Sequence, residues 1–270
     1  MKPIIVATDY SECAEAAIRY AALIARYTKT DLHLFNVHSF DIHALNGLIN
    51  AAEMKRSSEN NQLRLEKYAE NLSDKFNIPM TARTFTMFTE ETLGELVSNL
   101  NAGMIVMGMN KNFDENRLSG SVSNTIISNT RVPVLVVPEG LKLKLPERIL
   151  YACDYQTIPD EGHFEALKAM ANSFGAELRI FHVSEQNTVL KDKVAITEKI
   201  EAYIGDIHHS FKEKHQSDTL TALEAEVNEF EADIVIMSPH KYGFWSSLFH
   251  RSKTREMALR STVPLLSVPS

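Results

Sequence analysis

The segment "GMNKNFDENRLSGSVSN", Gly108 to Asn124, follows an apolar run, "MIVM", and leads into "TII". Glycine, lysine and small hydroxyl residues in this order suit anion chemistry. Backbone N–H groups at a helix start attract phosphate, and Lys111 adds a point charge. A second polar cluster, "ATDYS", Ala7 to Ser11, ends another apolar run and offers Thr8 and Asp9 as hydrogen-bonding groups. Plainer readings stand beside these. Gly120 and Ser121 suit a turn and an N-cap, Asp9 and Glu12 have the spacing of a capping box, and Lys111 suits a solvated loop.

Strands must end side by side for these clusters to meet. "PIIVAT" is a β-rich apolar run, followed by apolar residues at Ala14, Ala17, Ile18, Ala21 and Ala25, the spacing of one helical face. "LHLFNV" predicts a second strand, "MTARTFTM" a third and "EETLGELVSNL" a helix. "MIVMG" and "PVLVVP" predict the fourth and fifth strands, with a helix from Ser121 to about Asn129 between them. Alternating strands and helices imply an α/β domain with a doubly wound parallel sheet, whose ligands bind beyond the carboxyl ends of the strands where strand order reverses. If strands one and four are neighbours, the two polar clusters face one crevice.

The chain also repeats itself. "IIVATDY" matches "ILYACDY", "DLHLFNV" matches "ELRIFHV", "AGMIVMGMNK" matches "ADIVIMSPHK", and "RVPVLVVP" matches "TVPLLSVP", in the same order. Four ordered matches define a tandem duplication. The expected domains are 1–140 and 146–270, joined by the short charged stretch "EGLKLKLPER". The spacing of the matches locates an extra segment of about 16 residues in the first half, within the polar stretch Asn46 to Lys75.

Composition narrows the function. At 270 residues, 44% hydrophobic and 23% charged, the chain is an ordinary globular protein long enough for two cores. A net charge of −7 opposes a basic footprint for nucleic acid or anionic membrane. No run approaches a membrane span of about 18 apolar residues, and the apolar start is too short for a signal peptide and is interrupted by Asp9. Cys13 and Cys153 alone exclude a disulfide framework, point to a reducing cytoplasm, and read as structural thiols. His208, His209 and His215 lack the companions of a zinc pattern.

The first strand ending in Asp, the second ending "NV" or "HV", the fourth ending "VMG", the later glycine-serine pair and the closing "VPVLVVP" together resemble the universal stress protein family. The likeness covers nearly all of both halves and implies a tandem member. Members with the nucleotide-binding motif carry three spaced glycines, the last followed by Ser or Thr, and bind ATP or a related adenine nucleotide.

The resemblance implies that Gly108, Gly120 and Ser121 surround the phosphates with Val122 and Ser123 at the helix start, and that Met107 also belongs to the nucleotide-binding set. It implies Thr8 and Asp9 near adenine and ribose, and Val37 beside the base. Lys111 replaces the middle glycine. In the second half Ser238, Lys241 and Arg251 replace all three glycines, while Asp154, Val183 and Ser252 are kept. Three left-handed non-glycine residues would cost about 3–6 kcal/mol, enough to lose a micromolar site. One competent site is therefore expected, in the first half, holding ATP, ADP or AMP with or without Mg.

Walker A, "SGGxDS"-like, GxSxG and HExxH motifs are all missing, so at most slow ATP hydrolysis is expected and no general base can be named. The expectation is a sensing or signalling ligand in a stress response, acting through the loop from Lys111 to Ser119. The family's pairing edge, strand five, would join the two halves or two chains. The rival reading is a scaffold without nucleotide, working through surfaces such as "YGFWSSLFH", Tyr242 to His250.

Overall fold

The computed structural model describes residues 2–38, 51–109, 122–155, 161–184, 193–237 and 261–269. The chain divides into two compact units, Met1–Leu143 and Lys144–Ser270. Lys111, Gly120, Ser121, Ser238, Lys241, Arg251, Ser252, the loop 111–119 and the aromatic stretch 242–250 lie outside the described residues.

Unit 1 runs β1 (Ile4–Ala7), α1 (Glu12–Thr28), β2 (Leu32–Val37), α2 (Ala51–Phe76), β3 (Met80–Phe85), α3 (Glu90–Leu100), β4 (Met104–Met109), α4 (Val122–Asn129) and β5 (Val134–Pro138). Its strands lie in the order β3-β2-β1-β4-β5 and pair in parallel. The reversal of direction falls between β1 and β4, where Ile4 pairs with Met104 and Val6 with Val106. Strands one and four are thus the neighbours that a shared crevice requires.

Helix α1 shows how the sequence sets these positions. Ser11 caps it, accepting from Ala14 N, and Lys29 ends it in the left-handed conformation with its N–H bonded to Ala25 O. Ala14, Ala17, Ile18, Ala21 and Ala25, the predicted face, are all buried. Burying a side chain such as Ile18 contributes about 1.5–3 kcal/mol, and the alanines let the helix lie close on β4 and β5. Helix α3 matches "EETLGELVSNL" and is held by a capping box between Thr89 and Thr92.

Unit 2 repeats the plan with β6 (Arg148–Ala152), α5 (Glu161–Phe174), β7 (Glu177–Ser184), α6 (Lys193–Ile204), β8 (His209–His215), α7 (Thr219–Phe230), β9 (Ile234–Met237) and β10 (Leu265–Ser267). Its order is β10-β9-β6-β7-β8, again parallel. The extra segment of the first half lies largely in α2, which has 26 residues where α6 has 12.

A buried carboxylate ties together one face of unit 2. Glu226 of α7 is 1% exposed and meets Arg179 Nη1 of β7 at 2.9 Å and Lys212 Nζ of β8 at 2.8 Å. Arg179 also lies over the Phe230 ring, 4.0 Å from its centroid. Desolvating Glu226 is offset only while both cations stay. Glu226→Ala strips Arg179 of its carboxylate and leaves Lys212 with Glu229 alone, and we expect urea unfolding to register a loss of about 3 kcal/mol.

Candidate functional site

A cleft of about 270 Å³ opens at the β1/β4 switch point of unit 1. Thr8 and Asp9 enter it from the end of β1, Phe35, Asn36 and Val37 from β2, and Met107 and Gly108 from β4. Cys13 and Ala14 of the first turn of α1, and Val122, Ser123 and Ile126 of α4, complete it. Seven of the ten residues singled out from sequence therefore meet in one place: Thr8, Asp9, Val37, Met107, Gly108, Val122 and Ser123. The other three, Lys111, Gly120 and Ser121, are those outside the described residues.

Each position has a local cause. Thr8 N donates to Phe35 O at 2.9 Å, so β1 and β2 stay paired up to the cleft. Asp9 and Glu12 do not form the capping box that their spacing suggested. Ser11 is the N-cap, and Asp9 instead accepts from Ser11 N at 3.0 Å and from Ser11 Oγ. A short acid fits this turn better because it can bond a backbone N–H two residues on. Cys13 is half-buried and lines the cleft, its Sγ 3.0 Å from Ser11 Oγ, a more exposed setting than a structural thiol implies.

Gly108 is needed for a reason other than a left-handed backbone. It lies within β4, paired with Val137, not in the following loop, and it is not among the positive-φ glycines. A Cβ there would meet Cys13 O at 2.1 Å, Cys13 C at 2.3 Å and Ala14 N at 2.8 Å. The glycine lets the first turn of α1 rest directly on β4.

The two helix starts at the cleft differ in charge. The first turn of α1 carries Glu12 and Glu15, whereas the first turn of α4 carries no acid. An anion is favoured at α4 by its partial positive end, by about 0.3–1 kcal/mol, and is opposed near α1. Phe35 and Val37 supply an apolar side at β2 suited to a flat ring.

Unit 2 carries different side chains at the corresponding strand ends. Thr8, Asp9, Tyr10 and Asn36 match Cys153, Asp154, Tyr155 and His182 in the repeat. Asn36 Nδ2 donates to Thr8 O at 2.7 Å, and His182 Nδ1 lies 3.0 Å from Cys153 O. Tyr155 N also lies 3.4 Å from this Nδ1, so the ring nitrogen faces both a backbone acceptor and a backbone donor. Tyr155 stacks on the imidazole with centroids 4.2 Å apart and planes 4° apart, and both are buried. Burial pushes the Tyr155 phenol up and the Cys153 thiol up to about 12, which leaves that thiol inert.

Tyr10 turns the other way. It adopts φ +64° and stands between Arg64, 4.4 Å from its ring centroid, and Tyr68, 5.3 Å away, both on α2. In unit 2, Lys193 of α6 is bonded to Glu213 of β8. Among the described residues no group of three or more His, Cys, Asp or Glu could hold a metal ion. No described helix is long and apolar enough to cross a membrane.

A doubly wound parallel domain, made twice, with a cleft at the switch point of the first copy, is the class that fold and site define. The profile of the universal stress protein family matches residues 1–138, and the chain belongs to that family. A universal stress protein from Archaeoglobus fulgidus DSM 4304 is similar over 99% of this chain and 96% of its own, at 20% identity and a TM-score of 0.74. A Pseudomonas aeruginosa UCBPP-PA14 protein with a provisional universal stress protein name covers 100% of this chain and 93% of its own, at 15% identity and TM-score 0.62. At these identities the likeness is one of fold, and it spans both units. No curated protein matches the chain.

Two outcomes follow from these contacts. Gly108→Ala forces the α1 start off β4, and urea unfolding should show a cost of about 1–3 kcal/mol. His182 is held below its ordinary value of 6.5 by burial, with Asp154, Glu213 and Cys153 O pulling the other way and Lys193 adding to the depression. A depressed histidine stabilises the fold above its unfolded-state value, and this contribution is lost as pH falls from about 6.5 through the lowered folded value. Unfolding free energy measured between pH 7.5 and 5 should therefore fall on acidification, and His182→Asn should flatten that fall.

Proposed function

We propose that unit 1 binds an adenine nucleotide, ATP or its relatives ADP and AMP, with or without Mg, as a sensing ligand in a stress response. The observation that carries this reading is the switch-point cleft, with an acid-free helix start on one side and an apolar slot on the other. The phosphates lie toward Ser123 and Val122, joined by Gly120, Ser121 and Lys111, with Met107 and Gly108 beneath them. The base lies against Val37 and Phe35. Thr8 and Asp9 face the sugar, where the Asp9 carboxylate can accept from a ribose hydroxyl while it holds Ser11. No efficient chemistry belongs to this reading.

Unit 2 does not take part in binding, because Tyr155 and His182 occupy the ground that the ligand would need. The two domains of the resemblance, 1–140 and 146–270, thus have unequal roles. A cytoplasmic setting and a pairing role for the β5 edge, within one chain or between two, belong to the same proposal.

The test is to denature freshly purified protein and quantify the released nucleotide by mass spectrometry, then to titrate the emptied protein with Mg-ATP. About one adenine nucleotide per chain is expected, with affinity lost in Gly120→Glu. Two per chain would mean that unit 2 binds as well. None, with no binding of millimolar Mg-ATP, would leave the scaffold reading in its place.

A further inference from the structure

Asn36 is polar, half-buried and set in an apolar strand, and the base side of the cleft is built around it. Its amide is fixed: Nδ2 donates to Thr8 O at 2.7 Å, and reversing the amide would set two oxygens against each other. This is the only bond of the Asn36 side chain among the described residues, so Oδ1 has no donor among them. The oxygen is not enclosed either, for it is not among the buried side-chain atoms that lack a partner. Asn36 is one of the residues that line the cleft, between Phe35 and Val37.

The tether alone does not call for asparagine. His182 in unit 2 makes the same link, through Nδ1 to Cys153 O at 3.0 Å, and there the imidazole serves as a platform for Tyr155. Asparagine in unit 1 makes the link without a ring and leaves an oriented acceptor at the rim of an open apolar slot. An acceptor fixed there selects a donor.

We infer that Asn36 is the base-selecting residue of the unit 1 cleft: Oδ1 accepts a hydrogen bond from the exocyclic amine of a 6-aminopurine and disfavours purines with oxygen at that position. The inference rests on the reading of the cleft as a nucleotide site. A 6-oxopurine would turn its carbonyl toward Oδ1, losing one bond and leaving two acceptors opposed. The expected preference is about 10- to 100-fold.

The experiment compares ATP with inosine triphosphate, which differs by the amine-to-oxygen exchange and the proton on the ring, in calorimetric titrations of the emptied full-length protein. Wild type should bind ATP at least about 10-fold more tightly. Asn36→Ala should bring the two within about threefold, chiefly by weakening ATP. A purely structural role would weaken both nucleotides alike and keep their ratio, and that result would overturn the inference while leaving the nucleotide site standing. If wild type binds both equally, the inference also fails. If wild type binds neither, the nucleotide reading itself fails and the inference with it. Circular dichroism checks the fold of the variant. Should Asn36→Ala not fold, wild type against N6,N6-dimethyl-ATP, which has no amine hydrogen to donate, should show the same loss relative to ATP, and equal binding would overturn the inference.

Discussion

The contact between the first turn of α1 and β4 at Gly108 is the constraint from which the geometry of unit 1 follows. Main chain rests on main chain there, with no room for one further carbon beside Cys13 O. Because the helix cannot lift, the β1-to-α1 turn must be tight. Asp9 and Ser11 bond within that turn, and Thr8 and Asp9 are left at the lip of the cleft. The same approach brings Cys13 and Ala14 into the wall and sets an acidic helix start apart from the acid-free start of α4. One glycine thereby gives the cleft both its depth and its polarity.

The duplicated unit shows what happens when the same backbone plan receives different side chains. In both units a residue at the end of the second strand reaches the carbonyl one step beyond the first strand. Imidazole at that place stacks on a tyrosine, and amide does not. Tyr10 packs against Arg64 and Tyr68 of α2, whereas Tyr155 lies buried on His182. A few substitutions thus give the two copies different surroundings at the same strand ends, with little change in strand order.

Periodicity and repetition made the scaffold legible. The buried face of α1, the span of α3 and the extra length now in α2 all follow from local patterns, while the strand order had to come from the structure. Seven of the residues singled out line one cleft; strand ends alone pointed to the region of Thr8, Asp9 and Gly108, and the family resemblance supplied the rest. The role of Gly108 was not readable, since its neighbour Cys13 is remote in sequence and only packing brings them together. Asn36 was hidden in "LHLFNV", although its alignment with His182 was the available signal. The plainer reading of Asp9 as a cap came from spacing alone, whereas Ser11, nearer to the helix, competes better for Ala14 N. The opposite turns of Tyr10 and Tyr155 depend on residues of other helices, which no local pattern reports.

The left-handed backbone at Tyr10 has no counterpart at Tyr155. Such a conformation costs an ordinary side chain about 1–2 kcal/mol, and here it is offset by the Thr8 Oγ1 bond to Tyr10 N at 3.2 Å and by the hold of α2. A protein with a single domain must meet the demands of an open, strained pocket and of a durable core in the same residues. Duplication relaxes that conflict in evolutionary terms. Selection can keep tension in one copy as the working surface while the other drifts toward a filled interior, and the lineage then retains two sequences of one ancestry under opposite pressures.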